Sequence, residues 1–339
     1  MNSQTKLIKY GLTRLCLAPI MLWLIATMVF LMLRIAPGDP VDAILGNRAS
    51  EAVREAFRIK LGLNEPIYLQ YLGFINNLIH GNLGEALVNE EPVSQIIYNS
   101  LPASIELVFC SLIVAIIIGI IVGFSGIAKA EGNTDLAGRV YGIATYALPP
   151  FWAAMLFQLI FAVTLGWLPV GGRFPPGLIQ PEGSGFLILD SILNNDFSAL
   201  QGSLRHLALP SITLGILLSG VFSRALRINL SAQMKKDYIE AARSRGIKEY
   251  NLILKHALPN SLLPVLTIAG ITIASLIGGA LLIEVTFSWP GIALRLKDAI
   301  SQRDYPVVQG IVVVIAALVV LITLFVDLLV ASIDPRVRY

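Results

Sequence analysis

The sequence predicts an all-α membrane protein with six transmembrane helices, and three observations lead there. Of its 339 residues, 55% are hydrophobic and only 14% are charged, where an average soluble domain carries roughly 25% charged residues. The charge is missing in blocks. Six apolar runs, 15–33, 107–127, 140–165, 207–223, 261–283 and 307–326, approach the about 20 residues that a spanning helix needs. The basic residues between these runs gather in alternate connections, as the positive-inside rule expects of a multi-pass protein. A net charge of +3 is too small to suggest a nucleic-acid partner.

Taken in order, the first run follows Lys6, Lys9 and Arg14. It is longer than the about 7–15 residues of a signal-peptide core and has no small-residue cleavage site after it, so it reads as a retained helix. Residues 34–100 are too long to vote on orientation. Within them Ser50 is placed to cap a helix through Glu51, Val53, Ala56 and Phe57 that ends at Gly62. An amphipathic stretch over 68–79 closes at His80-Gly81-Asn82. Together these predict a small helical cap outside the membrane.

The third run contains Pro149-Pro150, which removes backbone donors and predicts a kink or break. A break within a membrane survives only where protein buries it or a cavity receives it. The connection over 166–204 is rich in Gly and Pro and reads as irregular. Placing the N-terminus inside puts Lys129, Arg139, most of the basic residues over 224–255, Arg336 and Arg338 on the cytoplasmic side. The short opposite loops keep only Arg173, Arg205, Arg295, Lys297 and Arg303. Both termini are therefore expected in the cytoplasm. The expected division is a cytoplasmic N-terminus (1–14), a first helix (15–34), an extracytoplasmic cap region (35–101), a five-helix core (102–330) and a cytoplasmic tail (331–339).

The polar loop over 227–260 interrupts this apolar chain most sharply. It holds six basic residues between Lys235 and Lys255. Apolar residues at Tyr250, Ile253, Leu254 and Ala257 recur at helical spacing, so the loop reads as a short helix, a glycine turn and a second helix. Ala241 and Ala242 allow another surface to approach closely, and Gly246 can take the left-handed conformation that ends a helix. Lys235, Lys236, Arg243 and Arg245 could pair with acids on a partner. Equally, the loop's charges could be solvated and serve orientation alone.

Enzyme chemistry finds no support. The chain lacks a G-x-x-x-x-G-K-[ST] phosphate loop, a G-x-S-x-G elbow and an H-E-x-x-H pair. Cys16 and Cys110 lie towards opposite faces of the bilayer, which argues against a disulfide, and His80, His206 and His256 are scattered, so no metal site is expected. Glu106, Glu284 and Asp327 border the apolar runs and read as helix-end or interfacial acids. No carboxylate falls near a midplane, where an ion-coupled carrier would place one.

At the polar loop the sequence resembles a known family. Glu240-Ala241-Ala242 is followed after three residues by Gly246. Nine residues further comes His256, two before Leu258-Pro259. This is similar to the EAA loop of binding-protein-dependent ABC importer permeases, which usually has a hydrophobic residue where this chain has His256. Other stretches resemble the B-type permeases of dipeptide, oligopeptide and nickel importers. They include Arg34-Ile35-Ala36-Pro37-Gly38-Asp39-Pro40, Leu61-Gly62-Leu63-Asn64-Glu65-Pro66, Gly81-Asn82-Leu83-Gly84, Leu101-Pro102-Ala103-Ser104-Ile105-Glu106-Leu107 and His206-Leu207-Ala208-Leu209-Pro210. Arg303-Asp304-Tyr305-Pro306 and Asp334-Pro335-Arg336 complete the series.

The resemblance implies a type I importer permease fold in a bacterial inner membrane. The EAA loop would be a coupling helix, seated in a cleft of a cytoplasmic ATPase, with Glu240, Ala241, Ala242 and Gly246 as its contact and turn positions. It further implies a second homologous permease, two ATPase subunits that hold ATP and Mg, and an external solute-binding protein. The chain itself would need no cofactor. The solute would be a di- or oligopeptide or a similar small molecule, with nickel, glutathione and oligosaccharide as alternatives. Polar residues scattered along the helices (Thr145, Gln158, Thr267, Thr272, Ser275 and Gln309) suit a route that does not bind its solute tightly. Substrate contacts stay unassigned. An ion-coupled carrier and a membrane scaffold are the readings from other classes.

Overall fold

Long apolar runs become long helices here, and prolines and polar clusters decide where they break. A computed structural model describes residues 3–35, 40–45, 49–128 and 132–333. Ala36 to Asp39 of the first family motif, Lys129, Arg336, Arg338 and the Asp334-Pro335-Arg336 tail lie outside the described residues.

Helix α1 (Ser3–Ile35) carries the first apolar run. Three short helices follow, α2 (Pro40–Leu45), α3 (Glu51–Lys60) and α4 (Ile67–Ile79). Ser50 holds the cap position of α3 with an extended backbone, but its side chain makes no capping bond, which corrects the expected cap. Gly62 and Gly81 take positive φ where α3 and α4 were expected to end. Helix α4 leans on α1 through Phe30, whose ring meets those of Tyr71 and Phe74, and through Arg34, which donates to Gln70 Oε1 at 2.8 Å.

Helix α5 (Val93–Ala128) begins well before its apolar run. The third run is split as Pro149-Pro150 predicts. Helix α6 (Asn133–Ala147) stops, Leu148 and Pro149 are extended, and α7 (Pro150–Phe157) leaves at 102° before a π-helical turn over Gln158–Thr164. The connection after it is irregular as expected up to α8 (Leu187–Leu193). Helix α9 (Phe197–Gln233) then starts before the fourth run and takes the first residues of the polar loop. Asp196 caps it, accepting from the Ser198 and Ala199 amides at 3.0 and 2.9 Å.

Helices α10 (Asp237–Ser244) and α11 (Glu249–Asn251) form the loop itself. A π-helical turn over Leu252–Ala257 leads into α12 (Leu258–Gly279), and the chain bends by 42° before Pro264. Helices α13 (Leu281–Thr286), α14 (Ile292–Gln302) and α15 (Tyr305–Ile333) complete the chain. Among the described residues four helices are long and apolar enough to cross a membrane, and counting each bent pair as one span makes six. No strand occurs among the described residues.

Helix α9 is the central post. In its apolar stretch 72% of the residues are buried, against 11% in those of α1 and α15, which therefore form the rim. Against α9 pack Leu107 of α5, Ala154 of α7, Ile283 of α13, and Phe287 and Trp289 beyond it. The outer side of α5 shows Phe109, Ile113, Ile117 and Ile121, four apart, as an unbroken apolar stripe. Helix α6 crosses α9 closely enough that a Cβ on Gly220 would stand 2.0 Å from Thr145 Oγ1. Gly220→Ala is therefore expected to cost about 1–3 kcal/mol through overpacking. A lower thermal midpoint of the solubilised chain would show it, and an unchanged midpoint would contradict it.

Candidate functional site

The helix–glycine–helix element after α9 is held by one apolar side chain. In α10 only Ile239 is buried, fully, against Leu230 of α9 and Ile253 and Ala257 of the π-helical turn. Tyr238 adds a polar tie, donating to Gln233 Oε1 at 3.0 Å. Asn260 of α12 donates to the carbonyl of His256 at 3.0 Å, so the residue that departs from the family pattern is held by its backbone. The expected apolar face over 250–257 is corrected by the π-helical turn. Its extra residue buries Leu252 with Ile253 and Ala257, and leaves Tyr250 exposed with its ring edge towards Phe124 of α5.

Gly246 closes α10 as the sequence suggests. Its φ is +79°, its amide donates to the Arg243 carbonyl at 2.9 Å, and the Ile247 amide reaches the Ala242 carbonyl at 3.4 Å. These two bonds make a Schellman turn, in which a left-handed residue satisfies the last helical carbonyls. Nothing lies within 4 Å of where a Cβ on Gly246 would point. Arg243, expected as a contact for partner acids, already has an acid within the chain, in an ion pair that stays half exposed. It grips Glu249 across the turn at 2.8 and 3.2 Å. The Arg243 hydrogen bonds hold the Glu249 carboxyl below the usual carboxylate range.

Glu240, Ala241, Ala242 and Gly246 thus come together on one short helix and its turn. Glu240, Ala241 and Gly246 are exposed and Ala242 is half-buried. Lys235, Lys236 and Arg245 are exposed around them. The patch offers a carboxylate, two small side chains and a bare backbone turn, framed by cations. It carries no group arranged for bond-making chemistry.

Glu284, at the opposite end of the helices from α10, corrects another expectation. Glu284 is fully buried rather than interfacial. It accepts from Ser104 Oγ of α5 at 2.5 Å and from the Leu294 amide of α14 at 2.8 Å. Ser104 Oγ in turn accepts from the Ile292 amide at 2.8 Å, and Trp289 Nε1 donates to the Ala103 carbonyl at 2.8 Å. Glu106 lies inside α5, paired with Arg173 at 2.6 Å and accepting from the Ile188 amide at 3.0 Å. Asp327 pairs with Arg14 at 3.2 Å and so joins the two rim helices.

Asp304 was noted only within a motif, yet it ties two segments. It accepts from the Leu87 amide at 2.8 Å and from the Val307 amide at 3.4 Å, while burial pushes its carboxyl upward. Sequence reasoning missed Ile239 and the Arg243–Glu249 pair. A lone isoleucine in a polar helix was a usable signal. The ion pair had none, because its spacing crosses a turn.

Two family models match the chain. The one for binding-protein-dependent transport system inner membrane components covers residues 96–339, and its N-terminal companion covers residues 7–108. The chain is 37% identical to a di/tripeptide transport system permease protein of Pseudomonas aeruginosa, over 93% of this chain and 94% of that one. It is 38% identical to a dipeptide transport system permease protein of Alkalihalophilus pseudofirmus, over 98% and 100%. An oligopeptide transport system permease protein of Bacillus subtilis is 35% identical over 93% and 94%. The chain belongs to the family of binding-protein-dependent transport system inner membrane components.

Proposed function

We propose that the chain is one of two permease subunits of an ATP-driven importer of di- or oligopeptides, and that α10 is the element through which ATPase partners drive it. The observation that carries this reading is the exposed Glu240-Ala241-Ala242 patch on a helix anchored by Ile239 directly after α9. Its placement suits a contact that must move helices, because the anchor joins α9 to the entry of α12. The full-length similarity to peptide permeases supports the solute class. The six-crossing count and the basic loops support a cytoplasmic position for both termini and for α10.

In this reading ATP and Mg reside in two cytoplasmic ATPase subunits, and an external binding protein selects the solute. The chain forms part of a route that opens alternately to either side, with hydrolysis biasing the two states. Nickel, glutathione and oligosaccharide remain solutes that the same architecture would carry.

Affinity purification of the intact chain from its native membrane tests the assembly. The expected result is recovery of a second, similar permease and two copies of a phosphate-loop ATPase. A lone or homo-oligomeric chain that still transports would overturn it in favour of a carrier. The ligand retained by the cognate binding protein tests the solute, and a bound metal or sugar in place of a peptide would replace that part of the proposal.

A further inference from the structure

The elbow between α6 and α7 has a chemistry that lipid does not tolerate. In a continuous helix the carbonyls of Thr145 and Tyr146 would accept from residues 149 and 150, but both are prolines and have no N–H. The Leu148 amide goes to Ala144, and no other backbone or side-chain donor among the described residues reaches these two carbonyls. The break lies inside an apolar span, and although Thr145 itself is buried against Gly220, the side from Tyr146 onward stands open. Tyr146 is 85% exposed, and residues 147–152 are exposed with it. Unsatisfied backbone at membrane depth must be buried in protein or line a water-filled cavity. The apolar stripe of α5 shows by contrast what a lipid-compatible surface of this chain looks like.

A groove runs from this elbow along α6 and α9 towards the α10 end. It consists of two adjoining hollows of about 570 and 400 Å³ that share Gly142, Tyr146, Arg224 and Ile228. Its charges are Arg139, Arg224 and Arg227. Asp135 pairs with Arg139 and Arg227, at 2.9 Å in the latter case, whereas Arg224 has no carboxylate partner among the described residues. The groove is mostly apolar along its walls, with the Tyr146 carbonyl at the elbow and an excess of cations below it. That combination fits a hydrated solute carrying a carboxylate.

We infer that the elbow and the α6–α9 groove line the water-filled route of the solute, and that Arg224 faces the carboxylate of a passing peptide. The inference rests on the importer reading and assigns the residues of its route.

The test uses the importer assembled with all its partner subunits in membranes. Cys16→Ser and Cys110→Ser remove the native thiols, and Tyr146→Cys or Ile143→Cys supplies a single reporter thiol. Both reporters are expected to react with membrane-impermeant thiosulfonates. With every rate taken relative to that reagent's rate with a free thiol in solution, the anionic reagent is expected to be favoured about tenfold over the cationic one because the groove concentrates anions. Arg224→Gln is expected to shrink that ratio at least several-fold, and saturating solute to slow both reactions. Reporters that stay unreactive in every nucleotide state overturn the route, since the elbow is then covered by protein. Equal relative rates for the two reagents overturn the carboxylate contact. If the solute of the binding protein protects the thiols but is not a peptide, the route stands and the peptide reading falls.

Discussion

Gly246→Asp is expected to reduce solute uptake to background while the chain still inserts and folds. The two faces of the turn differ. Towards its own chain, Gly246 needs a left-handed backbone, which costs a non-glycine residue about 1–2 kcal/mol and aspartate rather less. That does not exceed the about 1.5–3 kcal/mol gained by burying Ile239, to which the exposed Arg243–Glu249 pair adds little. Outward, nothing occupies the space a Cβ would enter, so the new carboxylate projects wherever the proposed ATPase partner approaches. Glu240→Arg makes the complementary change, reversing the charge beside Ala241 and Ala242 while leaving Asp237 at the start of α10. Both variants should reach the membrane at normal levels, lose the ATPase copies on purification and fail to take up solute. Gly246→Ala, which keeps the strain but adds no charge, should lose much less. Normal uptake with both charged variants would remove the role assigned to α10.

Glu284→Leu is expected to cost the folded chain about 4 kcal/mol. The Leu294 amide and the Ser104 hydroxyl lose their acceptor in a site without access to water, and each buried group left unpaired costs about 1–3 kcal/mol. Leucine of similar size adds no compensating bond. Because the same carboxylate joins α5, α13 and the start of α14, the loss should appear as a large drop in thermal midpoint and as aggregation on solubilisation. Glu284→Gln keeps one acceptor oxygen and should recover most of the midpoint. If Glu284→Leu proved as stable as the parent chain, the carboxylate could not be the hub described here. Uptake measured on any surviving Glu284→Leu protein at reduced temperature separates a stability role from a role in the route.

The number and order of the spans were legible because apolar runs of spanning length have few alternatives in a membrane. Helix ends were less so. Helix α9 continues past Ser223 to Gln233 because nothing in that stretch breaks a helix, although its charges mark the end of the apolar run. The break at Pro149 was legible, since missing N–H groups are a local fact. The fate of Glu284 was not. A carboxylate at the end of an apolar run looks interfacial in one dimension, and only the arrival of Ser104 from a distant helix makes burial affordable. The helix–glycine–helix shape of the polar loop followed from spacing, whereas the π-helical turn that re-aims its apolar face left no sequence signature. The proposal that Glu240, Ala241, Ala242 and Gly246 meet an ATPase rests on the family pattern together with the exposure of α10.

Helix α9 has a mechanical consequence. At about 1.5 Å per residue, its span from Phe197 to Gln233 makes a rod of roughly 55 Å. Ile239 is clamped to one end of it, and the Asp196 cap closes its first turn at the other. A tilt of roughly 5° imposed at the Ile239 end would displace the distant end by roughly 5 Å over that length. One continuous helix thus reaches from face to face, and Pro210, which removes a ladder hydrogen bond part-way along it, is the point at which such a displacement would be redirected.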